Sequence, residues 1–371
     1  MPDHSLSEIK LSHFRSHLNT KLLLNSKPIA IYGLNGVGKT NILEGVSMLS
    51  PGRGIRRSKL TDMMRAPESI GWKISAVFNQ GKDTYKIETK TGPNSTRLVF
   101  IDDKPVSQIT LGKLIKIIWL TPLMDRLWVE GAEMRRKFLD RITHSFIPEH
   151  AETILKYEKS MKERNTLLKD FIRDSDWYSV IESQMAISGK KITDNRLFVI
   201  HKLMRSMERS NSSFPIADLS LTNNHKDFMS ITVDEFRVLL EKSRLEDFYS
   251  HRTSVGPHKT DLVVKYKTKN IEAKNCSTGE QKALLVSLIL ANARALNYEY
   301  NISPIILLDE VSAHLDERRR RDLYTEIKAL DAQVWMTGTD LDLFDGIKGC
   351  AQKFEVIDDN GISQVIKHKK N

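Results

Sequence analysis

The chain has 371 residues, 40% hydrophobic and 28% charged, with 57 Lys and Arg against 47 Asp and Glu, a net charge of +10. This composition has room for two domains and excludes a fibrous, low-complexity or disulfide-stapled small scaffold. Two cysteines, Cys276 and Cys350, make no disulfide framework and have no metal-ligand spacing, and the eleven histidines form no HxxxH cluster. MPDHSLSEIK at the start lacks a basic segment leading into an apolar stretch, so no signal peptide is expected. The longest apolar run, Ala283 to Ala291 broken only by Ser287, is far short of the ~18 residues that cross a bilayer. The expectation is a cytoplasmic protein with no membrane partner.

Pro28 to Tyr32 predicts a short buried strand, and Ile42, Leu43, Val46 and Leu49 follow at helical spacing. Between them lies GLNGVGKT, residues 33–40. Gly33, Gly36 and Gly38 leave room for backbone N–H groups to wrap an anion at a helix N-terminus. Lys39 would reach the β- and γ-phosphates of a nucleotide, and the Thr40 hydroxyl would ligate Mg²⁺. Asn35 and Asn41, in and just after the loop, complete the ATP-binding candidates. Arg53, Arg56, Arg57, Lys59 and Arg65 gather beyond this helix with only Asp62 opposing them. That cluster reads either as a surface for DNA phosphates or as a solvated face.

Residues 72–106 alternate as strands do, with Ile74, Ala76 and Phe78, then Tyr85 and Ile87, then Leu98 and Phe100 inward, and NQGKD and TGPNS as turns. An antiparallel meander is expected. From about 123 helical patterns take over: Ile154, Tyr157, Met161, Leu168 and Phe171, with Arg164 filling an apolar gap, then Ile181, Met185, Ile192 and Val199. Two helices of ~25 to 30 residues follow from this spacing, making a compact helical lobe. NSSFP, 211–215, is a loop, and Thr232 with Glu235 has capping-box spacing for a helix ending near Tyr249.

PIILLDE, 304–310, is an apolar strand ending in two acids. Asp309 would hold the Mg²⁺ hydration shell, and Glu310 would orient or deprotonate the attacking water. CSTGEQKALLVSLILANARAL, 276–296, predicts a largely buried helix whose start, Ser277-Thr278-Gly279, offers a hydroxyl and N–H groups to a second phosphate. One chain hardly needs two such cradles for one γ-phosphate. The second is expected to serve a partner subunit's nucleotide.

GLNGVGKT, STGEQ, LLDE and SAHLD (312–316) occur in the order seen in ABC-type ATPases. FR at 14–15, GKTNILEGVSMLSPGRGIR at 38–56, RRKFLD at 135–140 and RTSVGPHKTDL at 252–262 resemble the RecF family of bacterial recombinational-repair ATPases. The resemblance implies an α/β fold: an ABC-type P-loop head (1–110 plus 252–371) with an antiparallel β subdomain and an inserted helical lobe (111–251). It implies an ATP-dependent homodimer in which Ser277, Gly279 and Glu280 act in trans and Asp316 couples the two sites. It implies a slow, DNA-stimulated ATPase on double-stranded and gapped DNA, with RecR and RecO as partners in loading RecA and Arg53, Arg56 and Arg57 on the DNA. RTSVGPHKTDL reads as a tight turn or as a ligand contact.

The chain also departs from transporter ATPases. It has Glu280 where they carry glutamine, no glutamine between Ile115 and Glu130, and Thr337-Gly338-Thr339-Asp340 where a switch histidine would stand.

Overall fold

Three short apolar runs, IAIY, IIWL and IILL, and the mixed run QVWMTG become buried strands of one sheet. A parallel strand covered on both faces needs continuous hydrophobicity, which the first three supply, while in the fourth the buried Gln333 and Thr337 are hydrogen-bonded. The structure is a computed structural model that describes residues 4–92, 96–311 and 315–368. Parts of TGPNS and SAHLD therefore lie outside the described residues. The chain divides into two units, 1–125 with 211–214 and 285–371, and 126–210 with 215–284.

The first unit holds two sheets. β1 (His4–Phe14) and β2 (His17–Leu23) form a hairpin; β3 (Ile29–Tyr32) and α1 (Lys39–Ser47) follow. Next come β4 (Lys73–Gln80), β5 (Asp83–Thr91), β6 (Arg97–Ile101), β7 (Lys104–Pro105), α2 (Gln108–Leu114) and β8 (Ile117–Leu120). The antiparallel sheet runs β2-β1-β4-β5-β6-β7, so the expected meander is extended by the β1–β2 hairpin. One face differs from expectation. In β6 it is Val99 that is buried, opposite the buried Thr89, while Leu98 turns outward. A strand's side chains alternate, so reading the register one residue off inverts both faces.

The second sheet takes strands from the far end of the chain: β12 (Ile305–Leu308), β13 (Gln333–Gly338), β14 (Gln352–Asp359) and β15 (Ile362–Lys367), with α8 (Glu317–Ala329) after β12. Its order is β15-β14-β3-β13-β12-β8. Every neighbouring pair is parallel except the β14–β15 hairpin. β3, β12 and β13 therefore end at one edge of the sheet, where an α/β fold presents its ligand-binding loops.

The other unit contains α3 (Ala132–Phe146), α4 (His150–Lys169), α5 (Ser175–Glu208) and α6 (Val233–Ser250). It also contains a small antiparallel sheet of β9 (Ala217–Thr222), β10 (Asp261–Tyr266) and β11 (Ile271–Glu272), and the start of α7 (Thr278–Tyr300). The two expected helices are 20 and 34 residues long, and Phe171 lies exposed beyond the end of α4. Tyr157, Leu168, Tyr178, Met185, Phe236 and Leu240 belong to its core. Gly189 lets the helices close up: a Cβ there would meet the Phe236 ring at 2.6 Å. Thr232 and Glu235 form the capping box.

Arg164 is fully buried and is the polar centre of this unit. Its guanidinium donates to Glu182 (2.9 Å), Asp247 (2.6 Å), Thr253 (3.0 Å) and the Leu240 carbonyl (2.9 Å). RRKFLD and RTSVGPHKTDL form a single network here. Arg135 grips Asp261 with two bonds of 2.8 Å, Arg136 donates to the Thr260 carbonyl, and Arg196 links Asp140 to the Pro257 carbonyl. His258 joins Tyr157 at 2.8 Å. Contact thus groups 252–284 with the helices, and not with the flanking residues expected to form the head. Arg164→Met should lower the unfolding free energy by about 3–5 kcal/mol, because it strands buried carboxylates. Urea denaturation followed by circular dichroism checks this.

Candidate functional site

The turn after β3 holds glycines where a side chain would not fit. Gly33 has φ +147°, and a Cβ there would stand 2.2 Å from the Val356 carbonyl oxygen. Gly38 caps α1 in the left-handed conformation, with φ +105°, and a Cβ would meet Ser363 Oγ at 2.3 Å. Only glycine fits either position without strain. Asn35 and Gly36 are exposed at the open tip of the loop, and a Cβ on Gly36 would meet nothing within 4 Å.

Lys39 is buried and folds back over this loop, with Nζ donating to the carbonyls of Gly33 (2.6 Å) and Leu34 (2.7 Å). Burial pulls its pKa down, while Glu310, Asp309 and Asp340 oppose that shift. The ammonium is thus anchored by neutral carbonyls in the field of three carboxylates. An incoming phosphate would offer it stronger acceptors.

The adjoining strand ends meet on one oxygen. Asp309 Oδ1 accepts from Thr40 Oγ1 of α1 (2.9 Å) and from Thr337 Oγ1 of β13 (2.8 Å). Thr337 Oγ1 in turn accepts from the Glu310 backbone N–H (2.8 Å). Burial raises the pKa of Asp309, the charge of Glu310 adds to the rise, and the two hydroxyls offset it. Glu310 has φ +53°, a left-handed conformation unusual for a non-glycine residue. Thr337 opens the Thr337-Gly338-Thr339-Asp340 stretch, which has no histidine at the place a transporter ATPase would carry one. The structure gives it a bonding role that no local pattern announces.

Behind the loop, buried His17 contacts the Gly38 carbonyl through Nε2 (3.1 Å) and Thr20 Oγ1 through Nδ1 (2.9 Å). Desolvation drives its pKa down to about 4. The neutral ring therefore donates to Gly38 through Nε2–H. Ser363 donates to the Val37 carbonyl (2.6 Å), and Asn41 Nδ2 donates to Ser16 Oγ (2.8 Å), so Asn41 faces its own scaffold.

The basic segment differs from its sequence reading. Arg53, Arg56, Arg57 and Lys59 are exposed, but Arg65 is buried, bonded to the carbonyls of Ser16 and Gly361 and paired with Glu68. Asp62 is not the only opposing acid. Arg56 donates to Asn41 Oδ1 (2.8 Å) and to Glu44 (3.3 Å), and Arg15 grips the fully buried Glu44 with bonds of 2.9 and 2.8 Å. Arg15 is thereby committed to α1.

In the other unit, Ser277 precedes α7, and its N–H and hydroxyl both donate to Glu280 Oε2 at 2.9 Å. Glu280 also pairs with Lys269. Lys269 first, and Ser277 next, hold the Glu280 carboxyl at a pKa of about 2. Gly279 lies in the first turn of this helix. Asp316 caps α8 by accepting from the Arg319 N–H (2.8 Å). Ser312, Ala313 and His314 lie outside the described residues.

A glycine cradle and a buried strand-end aspartate on one edge of a parallel sheet define an ATPase with an ABC-type P-loop head. A family model described as "AAA domain, putative AbiEii toxin, Type IV TA system" matches residues 29–339. A DNA replication and repair protein RecF of Rickettsia typhi is 38% identical over 361 residues, covering 95% of this chain and 98% of that one. The fold matches a structure described as the recombination mediator protein RecF-ATPrS in the RecFOR pathway, with TM-score 0.83, 24% identity and 98% of each chain covered. It also matches an Smc head domain from Pyrococcus furiosus, with TM-score 0.58, 15% identity, and coverage of 98% of this chain and 96% of that one. The chain belongs to the RecF family of DNA replication and repair proteins and to the AAA-domain family whose model it matches.

Because the folded pKa of His17 lies below the ordinary 6.5, the unfolded chain takes up the proton first. The stability contributed by the neutral ring is complete above about pH 6.5 and is lost as pH falls toward 4, by up to about 3 kcal/mol. Unfolding free energies of wild type and His17→Gln, measured from pH 7 to pH 4, should converge as the pH drops.

Proposed function

We propose that the chain is an ATP-controlled, DNA-binding clamp, and that the single observation carrying this reading is the junction of Thr40, Asp309 and Thr337 beside the glycine cradle. The loop N–H groups and Lys39 hold the β- and γ-phosphates of ATP. The Thr40 hydroxyl and Asp309 carboxylate are hard oxygen donors brought within 2.9 Å of each other, a set that suits Mg²⁺. When bound, Mg²⁺ would neutralise charge on the β- and γ-phosphates. Glu310, on the strained backbone just past β12, orients the attacking water and accepts its proton.

Closure requires a second copy. Its Ser277 and Gly279 approach the γ-phosphate, and its Asp316 lies in the coupling segment. For Ser277 to donate to phosphate, Glu280 must release the hydroxyl it now holds. That exchange of one anionic acceptor for another gives the dimer an ATP requirement. Exposed Arg53, Arg56 and Arg57 contact duplex or gapped DNA, and hydrolysis opens the clamp. RecR and RecO, with RecA loading downstream, are the partners that family membership supports.

Lys39→Ala should abolish ATP-dependent dimerisation, read by analytical ultracentrifugation. Glu310→Gln should accumulate an ATP-bound dimer and slow hydrolysis by about 10²-fold or more. A Glu310→Gln chain that stays monomeric in saturating ATP would contradict the shared site. ATP turnover should rise with duplex or gapped DNA, and an unchanged rate on both would remove DNA from the reading.

A further inference from the structure

Beside the exposed basic segment, within the same unit, is a concavity of about 550 Å³ whose wall carries Arg53, Lys59 and Arg97 with Gly52, Thr61 and Gln108, and no carboxylate. Arg97 comes from β6, well separated in sequence from the segment it joins. Nε donates to Thr89 Oγ1 (2.9 Å), and one terminal nitrogen donates to the Gly52 carbonyl (2.7 Å), the Ser50 carbonyl (3.2 Å) and Gln108 Oε1 (3.2 Å). Among the described residues the other terminal nitrogen meets only the Met48 carbonyl, so one of the five guanidinium N–H groups has no acceptor among them. Each of these acceptors is neutral.

A desolvated guanidinium surrounded by uncharged acceptors is costly, and burial draws its pKa down to about 10. Arg53 and Lys59 are likewise without an ion pair among the described residues, and both are exposed. Gln108 Oε1 is occupied by the Gly52 N–H (3.3 Å) and by Arg97, which leaves its amide N–H groups as donors. Three cations, an amide and a hydroxyl thus line a wall that carries no carboxylate among the described residues. Asp62 stands next to the wall, with its carboxylate accepting from the Thr61 hydroxyl.

We propose that this concavity seats one backbone phosphate of a nucleic acid, with Arg53 and Lys59 supplying charge and Arg97 and Gln108 supplying directed hydrogen bonds. The proposal rests on the DNA-binding reading above and adds Arg97 and Gln108 to it. The chemistry is shared by free phosphate. A nucleic acid is the assigned source because the space is open, and because Arg53 and Lys59 on its wall flank the exposed Arg56 and Arg57 along the chain.

Duplex affinity of the full chain, measured by fluorescence anisotropy from 50 to 200 mM salt, tests this. Lys59→Gln should reduce the slope of log K against log salt by about 0.9, the equivalent of one phosphate contact. Over that fourfold rise in salt, the variant should lose about threefold less affinity than wild type. Arg97→Gln, checked for folding by thermal melting, should weaken binding at every salt concentration. Unchanged slope and affinity in Lys59→Gln, with tight wild-type binding, would overturn the phosphate seat while leaving DNA binding intact. Titration with inorganic phosphate by NMR separates the sources: shifts at Gly52 and Thr61 together with an unchanged duplex slope overturn the nucleic-acid assignment. No duplex binding by wild type overturns both this inference and the function on which it rests.

Discussion

One carboxylate oxygen ties the ends of three elements together beside the glycine turn. Asp309 Oδ1 accepts hydroxyls from α1 and β13 while belonging to the end of β12, so three elements are registered on one atom. The bonds form only because β3, β12 and β13 are parallel and end together. The buried oxygen gains two donors in a place where water is scarce, which favours a single arrangement. The loop, the acid after Asp309 and the position of Thr337 all take their places from it.

A second layer of charge stands behind the first helix. Glu44 is fully buried, and Arg15 and Arg56 neutralise it from different segments. Breaking that cluster would leave an unpaired carboxylate in the interior. The same cluster divides the basic segment into two kinds of residue. Arg65 belongs to the scaffold and Arg56 is partly held, while Arg53, Arg57 and Lys59 remain available to an anion. Net charge alone does not make this distinction.

In the helical unit, two motifs that look independent along the chain are two halves of one network. Arg135 pairs with Asp261, Arg136 with the Thr260 carbonyl, and Asp140 reaches the Pro257 carbonyl through Arg196. RTSVGPHKTDL is therefore extensively bonded within its own unit. Gly256 illustrates the constraint: with φ +141°, it passes so close to Tyr157 that a Cβ would lie 2.1 Å from the hydroxyl.

Much of this was legible because it is local. The tight turn after β3 needs glycines at fixed positions, a buried parallel strand needs an apolar run, and a capping box needs Thr232 three residues before Glu235; each requirement is met by near neighbours in the chain. The resemblance carried by GLNGVGKT, STGEQ and LLDE likewise depends on order along the sequence. What folding alone decided are the pairings between distant segments: Thr337 on Asp309, His17 under Gly38, Arg15 on Glu44, and Arg164 among Glu182 and Asp247. Hydrophobic periodicity reports which face is buried but not which polar group it meets, so Arg164 reads in sequence as a gap in a stripe and in space as the centre of a buried ionic network. The inward face of β6 is decided in the same way, since two strand faces of similar hydrophobicity are distinguished only by the partner strand.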